Sequence, residues 1–279
     1  MSASDPTLRY DAEHIAQFYD TYGEREWERF GRSPADRIGL EIHTRMLAEF
    51  VRPGDRVLDA GAGPGRFTIE LARLGASVVV GDISPEQIRL NEEKVRDAGF
   101  ASAVEERHVL DITDLSRFPD ASFDVVVCYG GPLSYVWEKA DVAARELARV
   151  LRPGGHLLVS VMSNLGTHRT WLNFILSQTE EFVVEAVNRV FETGGIPAEF
   201  NHGHAMHLFT FSELRDLLES AGCEIAAASA SNYLTAQSQA IEPMNDELWE
   251  MLVEWELRAC RQPGAVDGGT HIIAVGRHS

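Results

Sequence analysis

The chain has 279 residues, 44% hydrophobic and 24% charged, which suits one large α/β domain or a core with a smaller cap and argues against disorder. Asp and Glu number 43 against 25 Lys and Arg, a net charge of −18. Lysine occurs only at Lys94 and Lys139 and no dense basic run exists, so nucleic acid is disfavoured as a partner, because its non-specific affinity comes from neutralised phosphates. The cysteines, Cys128, Cys223 and Cys260, are far apart and fit no metal spacing. No apolar run reaches the length of a membrane span and residues 1–6 show no signal-peptide pattern. A cytoplasmic protein without metal or membrane contact is expected.

Residues 1–50 read as helical, with aromatics at Tyr10, Phe18, Tyr19, Tyr22, Trp27 and Phe30. Ile38, Ile42, Met46, Leu47 and Phe50 keep helical spacing until Pro53-Gly54 stops them. A short strand at 56–59 leads into Gly61-Ala62-Gly63-Pro64-Gly65, and Phe67, Leu71 and Leu74 mark the helix behind it. Val78-Val79-Val80 has the β-branched density of a strand covered on both faces, and it ends at Asp82. Ser84-Pro85-Glu86-Gln87 combines an N-cap, a proline at the first helical position and a capping-box partner, opening a helix to about 98. Further strands are expected at 104–109, 123–129 and 156–162, with a helix over about 137–151 between the last two.

Strands alternating with helices of this length specify parallel βαβ units and a doubly wound sheet. After Met162 the alternation breaks. Trp171, Phe174, Ile175, Phe182, Val183, Val187 and Val190 give residues 163–206 a helical look, and an insert this long reads as a small cap. The core resumes with a helix over about 210–222, a strand at 224–229, a helix over about 246–260 and a last strand at 271–275. The expected organisation is an N-terminal helical lid (1–50), a binding core (51–162), a helical cap (163–206) and the C-terminal part of the core (207–279).

A glycine turn between a strand and a helix lets backbone approach a ligand, and the helix start offers free N–H groups. Two details narrow the ligand. Arg66 stands where a dinucleotide fingerprint needs its third glycine, and Gly65-Arg66-Phe67 supplies no Gly-Lys-Ser/Thr for a P-loop. Asp82, about twenty residues past the loop, is placed to accept the hydroxyls of a ribose. Ile83 offers an apolar face to an adenine, and Asp111 can accept from its amino group. Any one of these alone reads equally well as an ordinary strand-end residue.

Val57-Leu58-Asp59-Ala60-Gly61-Ala62-Gly63-Pro64-Gly65 resembles the first motif of class I S-adenosylmethionine-dependent methyltransferases, and Val80-Gly81-Asp82-Ile83-Ser84 their second. His108-Val109-Leu110-Asp111-Ile112, Phe123-Asp124-Val125-Val126-Val127 and the run Leu147 through Gly155 resemble the next three segments in order. The resemblance implies a mostly parallel seven-stranded Rossmann-like sheet with a helical cap. It also implies that Asp59, Gly61, Gly63 and Gly65 hold the methionine part of S-adenosylmethionine, Asp82 the ribose, and Ile83, Asp111 and Ile112 the adenine. Tyr129 and Gly130 would lie near the sulfonium. Tyr129-Gly130-Gly131-Pro132 lacks the Asn/Asp-Pro-Pro-Tyr/Phe motif of nucleic-acid amino methyltransferases, which favours a small-molecule acceptor.

The acceptor side is open. A hydroxyl acceptor benefits from a general base, whereas an amine or thiolate needs none. His202, His204 and His207 are the candidates for such a base; as a polar hinge they are ordinary structural histidines, and no carboxylate or Cys completes a metal set beside them. Tyr10, Tyr19 and Tyr22 are either part of a lid over the cofactor or a packing stripe, and Arg169 is either an anion contact or a surface residue. Small-molecule O- or N-methylation by a monomer or homodimer is expected. A non-catalytic S-adenosylmethionine-binding protein is the alternative, followed by a nicotinamide-dependent oxidoreductase.

Overall fold

The computed structural model describes residues 9–177, 181–236 and 245–279; residues 1–6, and the side chains of Phe182 and Val183, read above from sequence, lie outside that description. The N-terminal segment forms α1 (Ala12–Tyr22), a one-turn α2 (Arg25–Glu28) and α3 (Pro34–Phe50). The first half of the core follows as β1 (Arg56–Ala60), α4 (Arg66–Arg73), β2 (Ser77–Asp82), α5 (Pro85–Asp97), β3 (Val104–Val109) and β4 (Phe123–Cys128). Next come the short α6 (Pro132–Tyr135), α7 (Ala140–Arg149) and β5 (Leu151–Met162). The insertion holds α8 (Asn164–Ser177), α9 (Glu181–Thr193), β6 (Gly195–Ile196) and β7 (Met206–His207). α10 (Phe211–Ser220), β8 (Cys223–Ala230), α11 (Asp246–Cys260) and β9 (His271–His278) complete the chain.

Seven strands form one sheet in the order β3-β2-β1-β4-β5-β9-β8. β1 to β5 run parallel, and β9 is antiparallel to both its neighbours. This is the expected mostly parallel Rossmann-like sheet. Alternate side chains face opposite layers: Val57, Val78, Val80, Val125 and Val127 pack with α3 and α4, while Leu58, Val79, Val126 and Leu157 pack with α7 and α10. Because β9 runs backwards, its first residue, His271, pairs with Met162 at the end of β5. It therefore sits at the edge where ligands of such sheets bind.

The structure refines three boundaries. Residues 1–50 do not form one lid: Ile38, Ile42, Met46 and Leu47 of α3 are at most 2% exposed, so that helix belongs to the core and residues 10–32 remain to cross the strand ends. The strand expected from 156 begins at Leu151, with the Pro153-Gly154-Gly155 turn taken up as an irregularity against β4. Within 201–207, His207 is no hinge residue but lies in β7, paired with Gly195. Ser84 caps α5 through the Gln87 amide, and Thr210 with Glu213 forms a capping box on α10. All three cysteines are buried and free, and among the described residues no helix is long and apolar enough to cross a membrane.

Candidate functional site

A cavity enclosing about 830 Å³ of space, its open mouth included, lies at the carboxyl ends of β1, β2 and β4. Its floor is the turn after β1. The amides of Gly61 and Ala62 both donate to Gly81 O, and the Gly63 amide donates to Asp82 Oδ2 at 2.8 Å. Gly61 has φ +75°, and a Cβ there would stand 2.4 Å from Pro132 Cγ, so only glycine fits. Gly65, at φ +97°, caps α4, and a Cβ would press on Asn91 and Val95 of α5. Gly65 thus sets the helix against its neighbour without lining the cavity, whereas Gly61 and Gly63 line it.

Four acids surround this turn, and their environments differ. Asp82 is 7% exposed, and burial pushes its carboxyl up to about 6 against the pull of the Ser84 and Gly63 amides. Each of its oxygens accepts one backbone N–H and keeps a further lone pair. Asp111 accepts from the Thr113 amide and from the Tyr10 hydroxyl at 2.7 Å. Glu26 faces the cavity from the N-terminal segment, paired with Arg29 at 2.7 Å. Asp59 lies beneath the loop, holding Thr68 Oγ1 at 2.6 Å, with burial raising its pKa to about 7. It does not line the cavity, so the contact with methionine implied by the resemblance is replaced by support of α4.

Residues 10–32 close the cavity as a lid and are tied down by polar bonds. Ser84 Oγ and the Glu86 amide donate to Asp20, and Gln87 Nε2 donates to Tyr19 O and Gly23 O. The Arg66 guanidinium lies 3.5 Å from the Trp27 ring centroid and donates to Trp27 O. The residue that departs from the dinucleotide fingerprint is therefore a clasp for the lid. Tyr10 and Tyr19 line the cavity; Tyr22 does not, and stacks on Phe18 at 5.6 Å beneath the Arg25 guanidinium. Ile83, Ile112, Tyr129 and Gly130 also line the cavity.

The histidine candidates are elsewhere. His204 is 4% exposed and packed on Phe18 and Tyr135, and burial lowers its pKa to about 4. His207 packs on Trp137 at 4.1 Å and lies 3.6 Å from Glu213. His202, at φ +53°, stacks on Phe18. None of the three lines this cavity or the smaller one beside it. His202 and His204 pack against Phe18 of α1, His204 also against Tyr135, and His207 packs on Trp137 and Phe209, which corrects their reading as a base. Arg169 is also engaged, donating to Gly268 O and stacking on Tyr233. Among the described residues no group of three His, Cys, Asp or Glu side chains is placed for a metal.

Sequence reasoning missed Glu26, Arg29, Gln87, Pro132 and Tyr135, which all line the cavity. Gln87 Oε1 is buried there without a hydrogen-bond partner, a loss of about 1–3 kcal/mol that a bound donor would recover. A second cavity of about 380 Å³ adjoins the first across Arg29, Phe30 and Gly130, and its far wall carries His43 and His271. Neither stands out in the sequence: His43 falls inside the helical run from Ile38 to Phe50 and His271 opens the last strand.

Comparison with known proteins fits this geometry. Residues 57–155 match the family described as a methyltransferase domain. A ubiquinone/menaquinone biosynthesis C-methyltransferase UbiE from Pasteurella multocida is 39% identical over 133 residues, 44% of this chain and 48% of the relative. The chain therefore spans about half the length of the curated relatives it matches. Among solved structures, the [4+2]-cyclase SpnF superposes with a TM-score of 0.62 at 18% identity, covering 97% of both chains. A 1,6-didemethyltoxoflavin-N1-methyltransferase from Burkholderia thailandensis, solved with its substrate and S-adenosylhomocysteine, superposes with a TM-score of 0.56 at 16% identity, covering 96% of this chain and 88% of that one. These two likenesses speak for the fold.

Proposed function

We propose that this chain, whose residues 57–155 match the methyltransferase-domain family, binds S-adenosylmethionine in the larger cavity and methylates a small molecule on oxygen or nitrogen. The observation that carries this reading is the pair of carboxylates at successive strand ends, Asp82 and Asp111, flanking a turn that only glycine can make. Asp82 keeps a free lone pair on each oxygen for the two ribose hydroxyls, and Asp111 keeps acceptor capacity for an amino edge. Ile83 and Ile112 give the flat apolar walls an adenine needs, and the unpartnered Gln87 Oε1 asks for a donor. Gly61, Gly63 and Glu26 face the remaining space, where a methionine tail with its ammonium group fits.

The sulfonium supplies an already activated methyl group. What is left to the protein is alignment and the exclusion of water. The lid of residues 10–32 serves the second, since Tyr10 and Tyr19 cover the cavity and Arg66 clasps Trp27. A strongly acidic surface keeps polyanions away, consistent with a small acceptor and no nucleic acid.

The likeness to a cyclase keeps a second reading alive, in which the same core binds the cofactor without transferring its methyl group. The decisive experiment supplies methyl-labelled S-adenosylmethionine with a pool of small metabolites. Labelled product together with S-adenosylhomocysteine supports the proposal; tight binding with no transfer to any pool component supports the binding protein instead.

A further inference from the structure

His43 and His271 meet in the smaller cavity from opposite ends of the chain, their ring centroids 6.3 Å apart. His43 is 4% exposed, and its Nδ1 is 2.6 Å from Gly39 O, an acceptor, so the ring proton is on Nδ1 and Nε2 carries a bare lone pair. His271 is held in the same sense. Thr270 Oγ1 lies 3.3 Å from His271 Nδ1, 3.3 Å from Asn232 Oδ1 and 3.2 Å from Ser231 Oγ, and with its hydrogen on the Asn232 side its oxygen is left to accept from His271 Nδ1. Both Nε2 atoms are buried with no hydrogen-bond partner, two bare acceptors in one cavity. Both imidazoles are neutral, because burial and the nearby Arg29 charge oppose protonation. Arg29 and Asp36 are the charged groups lining the same walls, and Arg29 and Gly130 are shared with the larger cavity.

We propose that this smaller cavity is the acceptor site, that it takes an uncharged molecule with two hydrogen-bond donors, and that His43 Nε2 receives the hydrogen of the hydroxyl to be methylated while His271 Nε2 orients the second donor. The inference rests on the methyltransferase reading of the larger cavity. Two bare acceptors select donor groups, since an acceptor-only ligand leaves both unpaired. Arg29 repels a cation such as a protonated amine. In the transfer, the oxygen–carbon bond forms as the carbon–sulfur bond breaks with its electron pair left on sulfur, and the hydroxyl proton passes to His43 Nε2. The site exchanges a sulfonium for an imidazolium, so its net charge beside Arg29 does not change.

The test uses the protein saturated with S-adenosylhomocysteine, with resorcinol as a two-donor probe and 1,3-dimethoxybenzene as its donor-free counterpart. Calorimetry is expected to show resorcinol binding at least about tenfold more tightly than the diether, with His43→Phe removing most of that preference while affinity for S-adenosylhomocysteine is kept. In protein labelled with nitrogen-15 at histidine, resorcinol should shift the Nε2 resonances of His43 and His271 in the unmodified chain, a readout that survives if the variant fails to fold. Equal affinity for the two probes, no binding of resorcinol, or unmoved resonances overturns the proposal. Failure to bind S-adenosylhomocysteine at all overturns the methyltransferase reading instead.

Discussion

The two adjoining cavities are built in opposite ways. The larger is lined by turns that follow successive strands, at Gly61 to Pro64, Asp82-Ile83, Leu110 to Ile112 and Tyr129-Gly130, each within a few residues of its strand. The smaller is lined by Arg29, His43, Asn232 and His271, which come together only because α3 packs on the sheet and β9 runs antiparallel. The first kind of site is a property of local chain geometry and is strict about backbone. The second is a property of tertiary packing and is strict about side-chain chemistry. Variants should therefore separate the two.

The largest effect is expected from Gly61→Ala. Its Cβ would come 2.4 Å from Pro132 Cγ at a φ of +75°, so the turn has to move. Cofactor affinity should drop by about a hundredfold or more, with stability down by about 1–3 kcal/mol. Resorcinol binding at His43 should change far less, as calorimetry on each ligand would reveal. Equal losses at both cavities would show that they are one site.

Asp82→Ala comes next. Removing an acceptor of charge-assisted hydrogen bonds should weaken S-adenosylmethionine by more than about 1 kcal/mol, read by calorimetry. The unmodified protein should show the same dependence through pH. The Asp82 and Asp59 carboxyls sit at about 6 and about 7, above their ordinary value, because burial disfavours the charge. Their contribution to the stability of the ligand-free protein is complete below the ordinary carboxylate pKa and is lost as pH rises through those values. Cofactor affinity runs the other way and should fall as pH drops below about 6, since ribose hydroxyls need the ionised Asp82. Affinity flat between pH 5 and pH 8 would remove Asp82 from the ribose.

This contrast also explains what the sequence disclosed. The sheet, the glycine turn, Asp82 and Asp111 were legible because strand period, turn chemistry and strand-end position all act within a short span. Asp59 and Gly65 belong to the same motif, yet the structure turns them to Thr68 and α5, a distinction only packing decides. Arg29, Tyr135, His43 and His271 carry no local signal, and Gln87, read as a capping-box partner of Ser84, instead turns its side chain to Tyr19 O and Gly23 O. The triple histidine segment did carry a conspicuous one, and it misled: three histidines close in sequence became aromatic packing, two on Phe18 and one on Trp137, while two far apart share a cavity.

Alanine at His202, His204 or His207 is accordingly expected to leave the pH dependence of methyl transfer unchanged. His204→Ala should still cost about 1–3 kcal/mol in denaturant unfolding, since its ring fills space between Phe18 and Tyr135. A lost acidic limb in the rate profile of any of the three would restore the reading of a base in that segment.

The smallest effect belongs to Arg66→Met, and it tests the N-terminal segment, which contributes to both cavities. Residues 10–32 give Tyr10, Tyr19 and Glu26 to the larger cavity and Arg29 and Phe30 to both. Arg66 holds this segment from the core by stacking on Trp27 and donating to its carbonyl. Losing a partly buried cation–π contact is worth about 0.5–2 kcal/mol. That energy acts on lid opening and not on global unfolding, because the sheet and α3 do not depend on it. Hydrogen exchange should quicken across residues 10–32 alone, and cofactor and resorcinol should both dissociate faster by a similar factor. Gly61→Ala and Asp82→Ala divide the cavities and Arg66→Met should couple them; a variant that loosened only one ligand would show that the hold of Arg66 on Trp27 does not reach Arg29.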